Sequence, residues 1–303
     1  MSDKKKNGLT ISMVIDAESA NYGEGVGNIT TLKKMSRSDR RQYTYISRQA
    51  LRYNMIKQLS WDNTPVSASG SGDKKVVQFA PEASIKDYPE IDLFGYLKTT
   101  AKSDTEKGAS NKRAAVVRLS NAISMEPFNS DLDYLTNMGL ASRCEAGNAI
   151  AQSEIHHSLY AYTITIDLDR VGVDGKDGEV QISNEEKAQR IKQFLDAVEY
   201  LYRDIKGRRE NLNPVFVIGG TYQRKNPYFE NRLKLGKRLD LEVNCIKAAI
   251  ENGGADAAEN TRIGCFSDFF ANETEIKEAF GDKVVSVVEF FDALKKKVDE
   301  YYE

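Results

Sequence analysis

The order of its strand-like and helix-like segments predicts an α+β fold for this 303-residue chain. Apolar residues occupy every second position at residues 8–16 and 159–168, which is typical of strands with one buried face. Apolar runs at 113–124 and 214–221 read as two further strands. Two stretches with apolar residues at helical spacing lie between them. In chain order the segments read strand, helix, strand, strand, helix, strand, which is the ferredoxin-like βαββαβ plan that RRM-type domains share.

The first half of this plan contains a strand, a loop and a basic helix. The strand at 8–16 is followed by a Gly/Asn-rich loop at 21–28. The first helix is predicted at about 44–59, with an apolar side and a side that carries Arg48, Arg52 and other bases.

Two segments are longer than this plan requires. Residues 61–112 are irregular, with a flexible tip at 67–75 and a second mobile stretch at 103–112, and they predict an inserted subdomain. Residues 125–156 join the two middle strands, where a tight hairpin would need only a few residues. We therefore expect this connection to project from the sheet.

The second half begins with the clearest helix signal in the chain. Ser183 followed by Glu186 is a capping box, and apolar residues recur at helical spacing as far as Ile205. The strand at 214–221 follows, and residues 223–303 form an α/β extension. Both helices would cover one face of the sheet. The other face, which carries Thr10, Ser12, Arg118, Thr163 and Thr165, would be left for a ligand or a neighbouring element.

Composition excludes several classes of protein. No apolar run approaches the roughly 18 residues that span a bilayer, so we expect a cytoplasmic protein with no membrane partner. The cysteines, Cys144, Cys245 and Cys265, lie too far apart for a CxxC metal site or a disulfide framework.

Charge is unevenly distributed along the chain. The net charge is −2, but residues 30–60 hold eight bases and one acid, a net of +7. Residues 251–303 hold thirteen acids and six bases, a net of −7. A basic region on an acidic protein favours contact with phosphates over general adhesion to polyanions.

Enzyme signatures are weak. Gly23, Gly25 and Gly27 follow the first strand, but the dinucleotide-binding pattern GxGxxG requires a glycine at Asn28. The adjacent His156 and His157 would point to opposite faces of a strand, so they cannot share a site. One catalytic alternative stays open, in which a magnesium ion for phosphodiester cleavage is held by Asp16, Glu18 or Glu24.

Two motifs favour contact with RNA. In RRQYTYISRQALR (40–52), the arginines can bind phosphates bidentately. Exposed helix amides near Ser47 would add to this anion site. Tyr43 and Tyr45 would offer surfaces on which bases can stack. In GGTYQRKNPY (219–228), two glycines permit close backbone approach before a series of donors.

The chain resembles the DevR-like, type I-B backbone subunits of CRISPR-associated Cascade complexes, within the RAMP/RRM-like superfamily. The resemblance depends on motifs that occur in the expected order: LTISMVIDAESANYGEGVGNITTLKKM (9–35), YISRQALR (45–52), DLFGYL (92–97), LSNAIS (119–124), TITIDLDRVG (163–172) and GGTYQRKNPY (219–228). Together these motifs cover about residues 8–230.

The resemblance implies an RRM-like palm with two additions. The palm would comprise residues 1–60, 113–124 and 157–222, completed by the extension at 223–303. Residues 61–112 fall where the family has its fingers, and residues 125–156 where it has a thumb, a long hairpin-like arm.

The resemblance and the two motifs together imply a set of RNA-binding residues: Asn21, Asn28, Lys33, Lys34, Arg40, Arg41, Ser47, Arg48, Gln49, Arg52, Gly219, Gly220, Gln223, Arg224, Lys225 and Asn226. Position and polarity in the thumb select three apolar residues as wedges between bases: Phe128, Met138 and Leu140. No catalytic residue, metal or cofactor is assigned.

The implied function is non-catalytic: the chain would bind CRISPR guide RNA and oligomerise along it as the backbone of a type I Cascade complex for antiviral defence. Its implied partners are the guide, the target DNA strand paired to it, adjacent copies of the chain and the other Cascade subunits (cap subunit, large subunit, repeat-processing endonuclease). Two alternatives remain. One is a magnesium-dependent, target-RNA-cleaving subunit like those of type III systems. The other is a stand-alone RRM-type regulator that binds single-stranded RNA.

Overall fold

The computed structural model describes residues 5–69, 75–99, 110–144, 147–175 and 178–303. The strands within these ranges are β1 (Gly8–Ala17), β2 (Tyr22–Val26), β3 (Ile29–Leu32), β4 (Lys34–Ser36), β5 (Gln42–Ile46), β6 (Val66–Ser69), β7 (Val76–Phe79), β8 (Tyr96–Thr99), β9 (Ser110–Arg113), β10 (Val117–Leu119), β11 (Ala122–Ser124), β12 (Asp131–Thr136), β13 (Ile150–Ile155), β14 (Ser158–Asp167), β15 (Val173–Asp174), β16 (Val180–Gln181), β17 (Tyr202–Ile205), β18 (Arg208–Asn211), β19 (Pro214–Tyr222), β20 (Arg262–Cys265) and β21 (Val284–Val285). The α-helices are α1 (Arg48–Gln58), α2 (Pro89–Phe94), α3 (Met138–Ala141), α4 (Asn184–Glu199), α5 (Val243–Asn252), α6 (Gly254–Asn260), α7 (Glu273–Phe280) and α8 (Val287–Tyr302). Among these helices, none is long and apolar enough to cross a membrane.

A nine-stranded sheet forms the centre of the described structure. Its order is β21-β20-β19-β1-β14-β11-β5-β4, and β10 pairs with β14 beside β11. The strands β19, β1, β14 and β10/β11 are mutually antiparallel neighbours, with Leu9 opposite Ile166 and Met13 opposite Tyr162. The strands predicted at 8–16, 159–168 and 214–221 are therefore present, and the mixed α+β class is confirmed.

The two faces of this sheet are covered differently. Leu9, Ile11, Met13 and Ile15 are fully buried in the main core, which includes buried side chains of α1, α4 and α8. On the opposite face, a second core forms where buried residues of β19 and β20, such as Phe216, pack with residues of α5, α6 and α7. That second core leaves part of the β1–β14–β11 surface available as the floor of a groove.

Serine side chains fix the starts of the three helices that cover the main core. Ser47 Oγ accepts the N–H of Ala50, and Ser183 Oγ accepts that of Glu186. Ser286 and Glu289 form a complete capping box at α8. Capping of this kind satisfies N–H groups that lack a partner within the helix, and it stabilises a helix by about 1 kcal/mol.

Four predicted elements were wrong in their extent or type. Residues 42–46 are a strand that pairs with β4 and β11, so the helix predicted from about residue 44 begins only at Arg48. The loop predicted at 21–28 contains β2 and the turn of a β2–β3 hairpin. The helix predicted to reach Ile205 ends at Glu199, and residues 202–205 are β17. The strand predicted at 113–124 consists of the end of β9 followed by β10 and β11.

A second sheet stands beside the first, in the order β12-β13-β3-β2. β12 and β13 form an antiparallel hairpin within the predicted projecting connection, whereas β3 runs parallel to β13. The β17–β18 hairpin braces this sheet, since Lys206 Nζ donates to Ser153 Oγ at 2.9 Å and lies 4.6 Å from the ring centroid of Tyr22.

The predicted insertion at 61–112 contains two hairpins, β6–β7 and β8–β9, and helix α2. Asp92, a fully buried carboxylate, helps to join it to the rest of the chain, since it contacts Arg113 at 2.7 Å and Arg190 at 3.0 Å. Residues 70–74 of the predicted flexible tip and 103–109 of the predicted mobile stretch lie outside the described residues.

Candidate nucleic-acid groove

A groove of about 1170 Å³ crosses the partly covered face of the sheet. We call it the open-face groove. Ser12, Ala161 and Thr163 are among its lining residues, and the hydroxyls of Ser12 and Thr163 are 2.6 Å apart. A pocket for a small ligand usually has a volume of about 300–1,000 Å³ and encloses its ligand. The larger, open shape of this groove favours an extended ligand.

One wall of the groove is a basic turn (residues 37–43) whose side chains are hydrogen-bonded to one another. Asp39 accepts hydrogen bonds from Tyr43 Oη at 2.6 Å and from Arg41 Nε at 2.9 Å. The bond from Tyr43 and those from Arg41 lower the pKa of Asp39 to about 2, so it is ionised at neutral pH. The guanidinium of Arg37 lies 4.5 Å from the ring centroid of Tyr43. Arg37 and Arg41 are thereby held in defined positions along the groove.

The start of α1 continues this wall, but its amides differ from the prediction. Asn21 Oδ1 accepts the N–H of Ser47 at 3.1 Å, and Asn121 Oδ1 accepts that of Arg48 at 2.9 Å. These caps occupy two amides that were expected to bind an anion. The side chains of Arg48 and Gln49 are exposed, and Arg48 lines the groove.

The opposite wall is the segment that follows β19. Lys234, Leu235, Gly236 and Lys237 line the groove there, together with the carboxylates of Glu230 and Glu242. Sequence reasoning missed these lysines, although the basic run KLGKR (234–238) was a usable signal. The described part of the lining contains five cations and three carboxylates. The cations are Arg37, Arg41, Arg48, Lys234 and Lys237, and the carboxylates are Glu126, Glu230 and Glu242.

Apolar side chains lie between the two basic walls. Met35, Leu119, Ile123, Met125 and Leu235 line the groove. Tyr43, expected as a stacking surface, is 5% exposed and carries Arg37 on its ring. A groove with a basic rim and an apolar interior can hold the phosphates of a single strand at its rim and its bases inside.

Several residues predicted to bind RNA have other contacts. Lys34 Nζ is 2.6 Å from a carboxylate oxygen of Glu154 and 4.4 Å from the ring centroid of Phe128. Arg52 lies over the ring of Phe94 at 4.9 Å and beside Glu90 at 3.5 Å, so it joins α1 to α2.

The remaining predicted residues of the N-terminal region lie outside the groove lining. Asn28 is exposed in the β2–β3 turn, Lys33 is half-buried between β3 and β4, and Arg40 is exposed in the basic turn with a φ of 64°.

The two glycines of GGTYQRKNPY approach the protein itself. A Cβ at Gly219 would collide with the backbone oxygen of Thr10, and one at Gly220 would collide with that of Asn260. The glycines therefore allow tight packing on β1 and α6, and both are buried. The explanation that they admit a ligand backbone is not needed.

The loop after these glycines lies at the β1–β14 end of the sheet, and its residues 223–226 are exposed without lining the groove. Lys225 pairs with Asp169 and is 4.0 Å from Asp167. Although burial opposes the shift, the hydrogen bond and charge of Arg118, with nearby cations, lower the pKa of Asp167. This cluster holds Lys225 between two carboxylates.

The predicted wedge residues lie at different ends of the β12–β13 arm. Phe128 is half-buried at its base, with its ring edge-on to His156 at 5.5 Å. Met138 and Leu140 are 64% and 58% exposed on α3 at the far end. Tyr134, Leu135 and Ile150, which sequence reasoning missed, are also at least half exposed there.

The carboxylates of the catalytic alternative do not converge. Asp16 contacts His157 Nε2 at 2.8 Å, whereas Glu18 contacts Arg208 at 2.8 Å. Within the described ranges, no three His, Cys, Asp or Glu side chains are grouped as metal ligands. His156 is buried and bonds through Nδ1 to Thr44 at 2.7 Å, and burial lowers its pKa.

Comparisons of sequence identify similar proteins. A family described as CRISPR-associated negative auto-regulator DevR/Csa2 matches residues 9–234. A curated relative, the CRISPR-associated protein Cas7/Cst2/DevR of Myxococcus xanthus (strain DK1622), is 26% identical over 158 residues. The match covers 48% of this chain and 52% of the relative, so the chain spans about half the length of that relative.

Comparisons of structure extend over nearly the whole chain. A chain from a CRISPR RNA-guided surveillance complex in a pre-nicking state has a TM-score of 0.58 and 11% identity, covering 96% of this chain and 100% of that one. A chain from another CRISPR RNA-guided surveillance complex has a TM-score of 0.56 and 12% identity, covering 95% and 98%. At these identities the likeness concerns the fold.

Proposed function

Because the chain belongs to the CRISPR-associated DevR/Csa2 family, we propose that it is a non-catalytic guide-RNA-binding subunit of a type I Cascade complex, of subtype I-B. In this proposal, copies of the chain assemble along one guide and form the backbone of the complex. The observation that supports it most directly is the open-face groove, whose lining combines apolar side chains with five cations and three carboxylates.

The chemistry of the groove fits a single-stranded polyanion. Arginine guanidinium groups bind phosphate oxygens bidentately, and Arg37 and Arg41 are already fixed by Tyr43 and Asp39, so binding would order few side chains. Contacts of this kind hold the backbone without reading its sequence, which leaves recognition to pairing between the guide and its target strand.

The projecting arm gives the proposal its assembly contact. Exposed Met138 and Leu140, with Tyr134 and Leu135, form an apolar end on an otherwise polar hairpin. We assign this end, and not the half-buried Phe128, the role of the wedge that enters the RNA held by the next copy. In the terms of the family, the central sheet is the palm, the 61–112 insertion the fingers and the arm the thumb.

The partners in this proposal are the CRISPR guide RNA, the target DNA strand paired to it, further copies of the chain and the remaining Cascade subunits. None of them meets a catalytic group in the proposal. The placement of Asp16 and Glu18 in separate ion pairs supports a holding role over magnesium-dependent cleavage.

Mass photometry of the purified chain with single-stranded RNAs of increasing length tests this function. We expect the mass to rise with RNA length in steps of one chain, 34.0 kDa, plus the RNA. A complex of fixed size at every length would refute the backbone role and favour the stand-alone regulator. The bound RNA is then incubated with complementary RNA and magnesium, and cut RNA would refute the non-catalytic assignment.

The groove assignment is tested by Arg41→Ala with Arg48→Ala. Each lost phosphate contact lowers the slope of log affinity against log salt by about 0.7 for a single strand. We expect weaker binding of every RNA sequence and a slope reduced by up to about 1.4. The matched control is Lys247→Ala with Lys296→Ala, which removes two exposed charges outside the groove lining. An effect no larger than that of the control would remove α1 and the basic turn from the binding site.

A further inference from the structure

The second wall of the groove is a closed loop, which we call the basic loop (residues 234–240). An isolated antiparallel bridge joins Leu235 to Leu241 at its base. The N–H of Gly236 donates to the oxygen of Asp240 at 2.7 Å, and the N–H of Glu242 donates to that of Lys234 at 3.0 Å. These bonds join the two ends of the loop through its own backbone.

The basic loop is also fixed to the body of the protein. Leu233 and Leu241, which flank it, are buried in the second core. Asn272, just before α7, forms a reciprocal pair with Leu241: its Nδ2 donates to the Leu241 oxygen at 2.8 Å, and its Oδ1 accepts the Leu241 N–H at 3.0 Å. The side-chain amide of Asn272 thus makes the two hydrogen bonds with Leu241 that the backbone of a neighbouring strand would otherwise make.

The end of the loop has an unfavourable backbone conformation. Arg238 and Leu239 are consecutive non-glycine residues with φ of 72° and 63°. A left-handed conformation is unfavourable for non-glycine residues, because the Cβ atom comes too close to the following carbonyl oxygen. Strain of this kind persists where the surrounding structure fixes it, and it is concentrated at ligand-binding and switch segments. Here it accompanies exposed cations, since Lys237 and Arg238 occupy the exposed end.

The position of the loop shows what the cations can do. Lys234 and Lys237 line the same groove as Arg37, Arg41 and Arg48, but from the opposite wall. Most of the loop also lies beyond the family match, which ends at residue 234. Lys234 is the last residue of that match, and Lys237 lies just beyond it.

We propose that the basic loop is a second phosphate-binding wall, with Lys234 and Lys237 as the residues that contact the RNA backbone. This inference deepens the proposed function and rests on it. The two walls together would grip a single strand from both sides, with Asn272 as a positioning residue that keeps the loop in place.

The test compares three double variants of the full chain by fluorescence anisotropy, using a labelled 30-nucleotide single-stranded RNA at several salt concentrations. Lys234→Ala with Lys237→Ala removes the second wall, Arg41→Ala with Arg48→Ala removes part of the first, and Lys247→Ala with Lys296→Ala is the charge-matched control. Each lost contact lowers the salt slope by about 0.7, so two lost contacts lower it by about 1.4. If a groove variant and the unmodified chain bind equally at 1 M salt, the variant should therefore bind about 25-fold more weakly at 0.1 M salt. Lys234→Arg with Lys237→Arg should restore most of the affinity.

The outcomes separate the two proposals. If both groove variants bind more weakly than the control, the second wall is supported. If only the Arg41/Arg48 variant does so, the loop inference is overturned while the proposed function stands. If neither differs from the control, the groove is not the RNA-binding site, and the groove assignment fails together with the loop inference.

Asn272→Ala supplies an independent readout, provided that thermal melting shows a folded protein. Since both lysines remain, a positioning role predicts weaker binding with an unchanged salt slope. Unchanged affinity would contradict the positioning role of Asn272.

Discussion

The ion cluster around Asp92 allows a quantitative test of how the 61–112 insertion is held. Its carboxylate is fully buried and accepts hydrogen bonds from Arg113 at 2.7 Å, from Arg190 at 3.0 Å and from the N–H of Gly172 at 2.9 Å. The side chains of Arg113 and Arg190 are 3% and 2% exposed. Asp92→Asn keeps the volume but leaves two buried cations without this anion. Removing one partner from a buried ion pair costs about 3–5 kcal/mol, and we expect a loss of unfolding free energy in that range.

Urea denaturation followed by the fluorescence of Trp61 measures this loss, since Trp61 is the single tryptophan and is packed in the main core. Asp204→Asn is the matched control, because Asp204 pairs with Arg209 at 2.9 Å but both side chains are about two-thirds exposed. An exposed pair contributes about 0–1 kcal/mol. If Asp92→Asn costs no more than Asp204→Asn, the conclusion that this buried cluster holds the insertion is refuted.

Two further predictions concern stability. Gly219→Ala should lower the unfolding free energy by about 1–3 kcal/mol or more, because its Cβ would collide with the Thr10 backbone oxygen. Gly139→Ala is the control and should not lower it in this way, because a Cβ at Gly139 meets no atom within 4 Å. Thermal melting compares the two variants. Burial lowers the pKa of His156 below its ordinary value of 6.5, so as the pH falls the unfolded chain binds the proton first, and unfolding free energy should decrease below about pH 6.5. Urea melts at pH 5.5 and 7.5 should show a smaller difference in His156→Gln than in His157→Gln; equal differences would contradict the assignment.

Local patterns were sufficient for three strands of the central sheet, β1, β14 and β19. The alternation around Ile11 and Ile164 reflects one buried and one polar face, and the predicted boundaries differ from the observed ones by at most one residue. The hydrophobic pattern was misleading where a strand, with its two-residue period, runs directly into a helix, with its 3.6-residue period. Residues 42–46 and 48–58 both present apolar residues to the core, and only the Ser47 cap separates strand from helix.

Long-range pairing was not predictable from local patterns. The β2–β3 hairpin is rich in glycine, which weakens a strand signal, and β3 gains a partner in β13, more than a hundred residues away. The groove shows the same limit. Arg41 and Arg48 were predicted as site residues, whereas Lys234 and Lys237 became recognisable only when the fold placed them on the opposite wall.

The composition of the second sheet sets a rule for exchanging parts between related chains. Its strands β12 and β13 come from the middle of the chain, but β3 and β2 come from the region just after β1, and Leu32 and Lys34 are tied to Glu154. A chimera that replaces residues 125–156 alone would separate β3 from its parallel partner and expose a strand edge, which promotes aggregation. A transplanted arm has to carry residues 22–36 with it, so the two segments form one exchangeable module despite their distance in sequence.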